Sequence, residues 1–386
     1  MPKRDSGRSV AGVAHPAPER VDSEISHHNR AADATSEYAA RFEDRYSPDF
    51  YRTAIDGIRL SSIGIGTYLG ECSDEDDAGY RDTICKALGS GVNVVDTAIN
   101  YRCQRSELAV KAAIRAATHA GVPRAAVVVC TKGGYLPLAG QPPASREEYR
   151  NYLKHEFFDT GVLTPDDLVA GGHSLVPSFL RYCIGRSREN LGVDAIDLYY
   201  LHNPEQQLAA VSAESFRERL RAAFMVLEDA VSRGEIRAYG CATWSALRVA
   251  PAAKGHLSLG SLMEIAREIA GGGHHFRAVQ MPISLAMPEA LRQPTQAMGK
   301  SRTLVPAVEA AAALGLSVFG SAPLMQGQLS KDLPTSVRSL LPLQQTDAQC
   351  ALAFVRQMPG VTAALVGTRS AAHLDENLES AKRQAE

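Results

Sequence analysis

The sequence is short of most features that announce a function at once. Its seven cysteines, an odd number, stand at 72, 85, 103, 130, 183, 241 and 350, and no two form a C-x-x-C pair. That scatter argues against a disulfide frame or a cysteine zinc site and fits reduced thiols in a cytoplasmic protein. No apolar run approaches the roughly 20 residues of a membrane span. Met1-Pro2-Lys3-Arg4-Asp5-Ser6 leads into no apolar stretch, so no secretion signal is expected. Charge of one sign is also missing: 41 Lys and Arg against 43 Asp and Glu leave a net charge of −2, which favours neither nucleic acid nor anionic lipid as a partner. No H-x-H or H-E-x-x-H occurs, which disfavours a metal-dependent hydrolase, and no metal site is expected. No G-x-G-x-x-G follows a strand; Gly64-Ile65-Gly66-Thr67-Tyr68-Leu69-Gly70 lacks its third glycine at the right step.

What is present is a regular alternation. Residues 1–45 are rich in Ala, Ser, Pro, His and charge, and are expected to be a disordered tail with a helical patch near 36–42. His27-His28 there are expected to be solvated tail histidines. Residues 46–386 then read as one domain. Asp56-Gly57 between two apolar runs predicts a hairpin. Short β-branched runs follow near 63–67, 92–95, 126–131, 196–201, 236–241, 278–281, 317–320 and 361–366. Helical patterns separate them at 106–119, 177–191, 213–233, 245–270, 304–314 and 347–357, with 371–381 closing. Gly121, Gly192, Gly234, Gly315 and Gly360 end helices just before strands. About eight strand–helix units predict a closed (β/α)8 TIM barrel with an N-terminal β-hairpin, with an open doubly wound sheet as the alternative. Residues 133–175 have no place in that period. They form a long insertion after strand 3, expected over the catalytic rim.

Residues just past each strand share that rim. Asp96 and Tyr101 follow the second strand, Lys132 the third, and His202 and Asn203 the fourth. Alone, each has an ordinary explanation as a solvated charge or a packed ring. Four such side chains beyond successive strands point to a site. They suit proton donation by a phenol. Free Tyr titrates near 10, and a nearby ammonium lowers that value. Lys132 can supply the charge and Asp96 can anchor it. His202 can bond the substrate oxygen or the phenol. These residues alone leave open whether Tyr101 or His202 gives the proton. A carbonyl reduced here also needs a hydride, which no side chain supplies, so a cofactor is implied. Ser321, Arg369 and the helix start near Ala371 offer a phosphate site at the last two junctions. Arg369 suits a 2′-phosphate, which favours NADPH and leaves NADH open.

One set of motifs runs in order through residues 50–380. It comprises Gly64-Ile65-Gly66-Thr67-Tyr68, Asp96-Thr97-Ala98-Ile99-Asn100-Tyr101, Thr131-Lys132, Leu201-His202-Asn203-Pro204-Glu205, Gln280, Gly320-Ser321-Ala322-Pro323-Leu324 and Val366-Gly367-Thr368-Arg369 with Glu376-Asn377. As a set it resembles the aldo-keto reductase superfamily. The resemblance implies a barrel that reduces aldehydes or ketones with NADPH. It makes Asp96, Tyr101, Lys132 and His202 a catalytic tetrad, with Tyr101 as the proton donor. Gly66, Thr67, Tyr68, Asp96, Asn203, Trp244 and Gln280 would lie near the nicotinamide end. Ser321, Leu324, Gln326, Gly327, Gly367, Arg369, His373, Glu376 and Asn377 would line the pyrophosphate and adenosine. Tyr68, Tyr101, His202 and Tyr135 would face the substrate, a small carbonyl or alcohol, with its selection falling mainly to the insertion. Three positions depart from the pattern: Thr243-Trp244 stands where Ser-Asn is common, Met281-Pro282-Ile283-Ser284 lacks a Tyr, and His373 replaces Arg or Gln. A second reading is a cofactor-binding regulatory subunit resembling the potassium-channel β subunits.

Overall fold

The structure is a computed structural model that describes residues 31–383. Strands β1 (Tyr51–Ala54) and β2 (Ile58–Ser61) form the expected hairpin, with Tyr51 opposite Ser61 and Ala54 opposite Ile58. Its apolar residues Ile55, Ile58 and Leu60 pack with Val94, Val128, Leu198 and Phe319 inside the barrel. The hairpin therefore plugs the end at which the strands begin, and leaves the opposite rim for chemistry.

The barrel strands are β3 (Ile63–Gly66), β4 (Val94–Asp96), β5 (Val128–Gly133), β6 (Ile196–His202), β7 (Ile236–Ala242) and β8 (Phe276–Pro282). After a second hairpin, β9 (Pro294–Met298) and β10 (Thr303–Pro306), come β11 (Ser317–Ser321) and β12 (Ala363–Gly367). The ring closes where β12 pairs parallel with β3, Val366 opposite Ile65 and Gly367 opposite Gly66. That pairing removes the open-sheet alternative. Helices Arg105–His119, Pro177–Leu191, Ala213–Ser232 and Asp347–Gln357 lie where the apolar period placed them. No helix among the described residues is long and apolar enough to cross a membrane.

Two details differ from expectation. The pattern at 304–314 is not one helix: Pro306 is the N-cap, the helix is Ala307–Ala313, and β10 precedes it. The residue before a proline is pushed towards extended backbone, so a helix cannot readily run through Val305. The helix expected near 36–42 runs over 31–40, so it begins earlier in the stretch expected to be disordered. Tyr38 donates to the carbonyls of Leu88 and Val92, the latter at 3.0 Å, and Tyr46 stacks on Phe50 at 3.9 Å. A few buried aromatics anchor a stretch whose average composition is polar. His27-His28 lie outside the described residues.

The insertion touches the loop of the second junction: Gly140 N–H donates to the Cys103 carbonyl at 2.9 Å, and Gln104 Nε2 to the Leu138 carbonyl at 3.1 Å. It contains helix Arg146–Leu153 and a π-type turn, Lys154–Phe158. Leu136, Leu153, Phe157 and Leu163 pack with Phe179 and Cys183 of helix Pro177–Leu191 and with Ile99, from the loop that carries Tyr101. Its two ends meet in an antiparallel bridge between Tyr135 and His173.

Candidate active site

Strand alternation fixes which side chains share the barrel's upper layer. Along β5, Val128 and Cys130 pack inside while Val129 packs outside. Lys132 is therefore inward, and Thr131 points out to Glu107 at 2.7 Å. On β6, Leu198 and Tyr200 pack inside and Tyr199 and Leu201 outside, so His202 is inward too. Asp96 and Gln280 complete the layer. Lys132 Nζ donates to Asp96 Oδ2 at 2.6 Å and to the Thr97 carbonyl at 2.8 Å. Gln280 Nε2 donates to Asp96 Oδ1 at 2.8 Å. Lys132 Nζ lies 5.1 Å from the centre of the Tyr101 ring, and the Tyr101 and His202 rings meet edge-on at 5.7 Å. The four side chains expected together are together.

Tyr101 is delivered by a strained turn. Arg102, Cys103 and Gln104 all take positive φ, at 48°, 53° and 69°, a conformation that side-chain-bearing residues keep only when their surroundings impose it. The buried Arg102 guanidinium imposes it by donating to the Glu71 carbonyl at 2.8 Å, the Ser73 carbonyl at 3.3 Å and Asp77 Oδ1 at 2.5 Å. Arg102 was not singled out from the sequence; only its place after Tyr101 could have drawn attention to it.

Burial dominates the electrostatics. It raises the Tyr101 phenol above its ordinary value, while Lys132 pulls the other way. The net lowering expected from the ammonium is therefore reversed: its pull has the expected sign, and desolvation outweighs it. Burial also works against the Lys132 ammonium, but Asp96 and Tyr101 overcome it and raise the pKa. His202 is driven well below the usual imidazole range by burial, then by Lys132 and His173. The site thus holds a protonated phenol, an ammonium and a neutral imidazole at ordinary pH.

Asp96, Tyr101 and His202, with Lys132 buried behind them, form one wall of a cavity of about 930 Å³, near the upper end of the roughly 300–1,000 Å³ common for small-molecule sites. Gly66, Thr67, Tyr68, Asn203, Gln280 and Trp244 line it near the tetrad. Ser321, Leu324, Gln326, Gly327, Gly367, His373, Glu376 and Asn377 line its continuation over the last two junctions. Lys331 and Ser330 line it as well, and no periodic signal pointed to them. Arg369 does not line it; its guanidinium is turned to Asp76 Oδ2 at 2.6 Å. Among the described residues, Tyr135 is the one insertion side chain on the wall. The half-exposed Tyr68 and Trp244 line the cavity as well. Asn203 lies on the wall, but its Nδ2 donates to the Tyr135 hydroxyl at 3.1 Å. Glu205 fixes the Trp244 turn by accepting from its N–H at 3.0 Å.

A dinucleotide suits this lining. The wall holds three buried polar atoms, Asn100 Oδ1, His202 Nδ1 and Thr243 Oγ1, that have no hydrogen-bond partner among the described residues. Buried polar atoms of this kind call for a partner, and a ligand with amide and hydroxyl groups offers one. At the far end, helix Ala371–Glu379 begins beside Thr368 and presents free backbone N–H groups. Among the described residues, no group of three or more His, Cys, Asp or Glu is placed to hold a metal ion.

Comparison with known proteins bears on the family and the fold. The family model described as "Aldo/keto reductase family" matches residues 62–333. A curated protein of Escherichia coli (strain K12), "NADH-specific methylglyoxal reductase", is 30% identical over 190 residues, 48% of this chain and 49% of that protein. "D-threo-aldose 1-dehydrogenase" of a Pseudomonas species is 29% identical over 174 residues, 44% of this chain and 47% of that protein. The chain thus spans about half the length of the curated relatives it matches. A crystal structure of an aldo/keto reductase from Klebsiella pneumoniae, in complex with NADP and acetate, superposes with a TM-score of 0.56 at 18% identity, over 86% of this chain and 89% of that one. At that identity the likeness speaks to the fold alone.

Proposed function

The chain belongs to the aldo/keto reductase family, and from that premise we propose that it is an oxidoreductase that reduces an aldehyde or ketone to an alcohol with a nicotinamide dinucleotide, Tyr101 giving the proton. The observation that carries this reading is the convergence of Asp96, Tyr101 and His202 on one cavity wall, with the Lys132 ammonium buried behind them against Asp96 and the Tyr101 ring. Bound along the cavity, the dinucleotide would supply the hydride that the carbonyl carbon accepts. Its nicotinamide end would be held near Gln280, Asn203 and Thr243, and its phosphates near Ser321, Leu324 and the start of helix Ala371–Glu379.

The residues then account for the proton. Tyr101 is kept protonated by burial, so it arrives as an acid. As the carbonyl oxygen becomes negative, the phenol releases its proton to it, and the Lys132 ammonium stabilises the phenolate left behind. Asp96 and Gln280 keep that ammonium in place. His202 is neutral and so is poorly suited to be the acid; it suits a hydrogen-bond donor to the same oxygen. This reading favours Tyr101 over His202 as the proton donor.

NADPH is the proposed cofactor, in keeping with the NADP- and NADPH-bound structures of similar fold; one relative is named NADH-specific, so both belong in the assay. The test follows NADPH and NADH absorbance with reactive aldehydes. Turnover by the wild type that Tyr101→Phe lowers at least about 10²-fold is expected. Full turnover by Tyr101→Phe would remove the assigned donor.

A further inference from the structure

Behind His202 lies a second histidine for which the proposed reaction has no use. His173 stands at the far end of the insertion and is fully buried, at 0% exposure. Its Nε2 lies 2.8 Å from the His202 carbonyl oxygen, and its Nδ1 lies 2.8 Å from Gln207 Nε2. Its ring meets Tyr135 edge-on at 4.9 Å, and Tyr135 in turn meets His202 edge-on at 4.9 Å. Tyr135 is thus clamped between the two histidines.

The direction of these bonds follows from the far end of the chain of contacts. The Arg219 guanidinium has only donors, so the Gln207 atom facing it is the carbonyl Oε1. That turns the Gln207 amide nitrogen, also only a donor, towards His173. Nδ1 must then accept, which leaves the proton of a neutral ring on Nε2. The partner of that N–H is the His202 carbonyl, which can only accept. Burial keeps the ring neutral by lowering its pKa to about 4.

The backbone is shaped around this bond. Gly134 takes a φ of 145°, and a Cβ there would stand 2.9 Å from His173 Nε2 and 3.0 Å from the His202 oxygen. Only glycine leaves the bond room. On either side, Leu136 N–H donates to the Gly172 carbonyl and Ser174 N–H to the Gly134 carbonyl, each at 2.8 Å. Those bonds tie the two ends of the insertion together beneath Tyr135.

We propose that His173 is a positioning residue: its Nε2–H fixes the backbone of His202 and its ring edge fixes Tyr135, so that the insertion sets the groups around the substrate's carbonyl oxygen from behind. The role rests on the reading of His202 given above. It explains why a long insertion brings only one side chain to the cavity wall. The insertion acts through its base, where His173 and Tyr135 meet.

The test compares two variants with the wild type. His173→Phe keeps a ring edge against Tyr135 and loses the donor. His173→Gln keeps a donor near the position of Nε2. Cofactor binding is read separately from the fluorescence of Trp244, the sole tryptophan, which lines the cavity. His173→Phe should lower kcat about tenfold or more, since displacing a group by about 1 Å can cost about 10²-fold in rate. The NADPH Kd should stay unchanged, and His173→Gln should regain most of the rate. A full-rate His173→Phe, or a His173→Gln as slow as it, overturns the proposal. If His173→Phe does not fold, Gln207→Leu serves instead: it keeps the ring and frees its tautomer. A fall in kcat at unchanged Kd supports the role, and a wild-type rate overturns it. A wild type that reduces no carbonyl with either dinucleotide would instead sink the reductase reading, and the positioning role with it.

Discussion

Lys132 Nζ sits 2.6 Å from Asp96 Oδ2, and the two side chains keep only 1% and 8% of their exposure. A charge pair this far from water is held together by its partners and not by solvent. Removing one member leaves the other charged, buried and alone, which costs about 3–5 kcal/mol.

Lys132→Met should therefore lower stability by about that amount, and Lys132→Met with Asp96→Asn should recover much of it while remaining inactive. Urea unfolding and turnover together decide this. A double variant less stable than Lys132→Met would show that the pair does not behave as a coupled unit.

Tyr101→Phe should keep the wild-type melting temperature and lose about 10²- to 10⁴-fold in kcat, the range for one general acid. The ring's contacts with Tyr68 at 5.1 Å and with His202 at 5.7 Å survive the change. A matching loss of stability would mean that the hydroxyl is structural.

Acid should destabilise the fold through its buried imidazoles. His202 and His173 are both held below the ordinary value of 6.5, His173 at about 4. The unfolded chain takes up a proton at each below about pH 6.5, and the native chain does not. Their contribution is complete above that pH and falls as the pH drops, by about 1.4 kcal/mol per pH unit for each ring. For His173 the fall ends at about pH 4, where the native ring itself titrates. His173→Gln should accordingly lose stability less steeply than the wild type across this window. Parallel plots of unfolding free energy against pH would contradict the assignment.

Cofactor choice should respond to Asp76, whose carboxylate holds Arg369 away from the cavity at 2.6 Å. Asp76→Asn weakens that hold and keeps an acceptor for the Glu71 N–H, now 2.5 Å from Oδ2. The ratio of NADPH to NADH affinity, read from Trp244 fluorescence, should rise severalfold, on the order of one charge-assisted bond. An unchanged ratio would remove Arg369 from 2′-phosphate recognition.

The sequence by itself determined the alternation of strands and helices and the four side chains that follow successive strands, because each depends on local rules, while the closure of the ring waited on the pairing of β12 with β3. β-branched runs make strands, alternation decides which residues face inward, and glycines end helices just before the next strand. An inward residue at the last position of a parallel strand has nowhere to go but the upper layer. Tertiary structure decided what depends on neighbours distant in sequence. Arg369 could face a phosphate or a carboxylate, and Asp76 from another junction took it. The sign of the Tyr101 shift followed burial, which no spacing reveals. No spacing marks His173; the closure of the insertion set it behind His202, and a hydrogen bond between distant segments leaves no period in the chain.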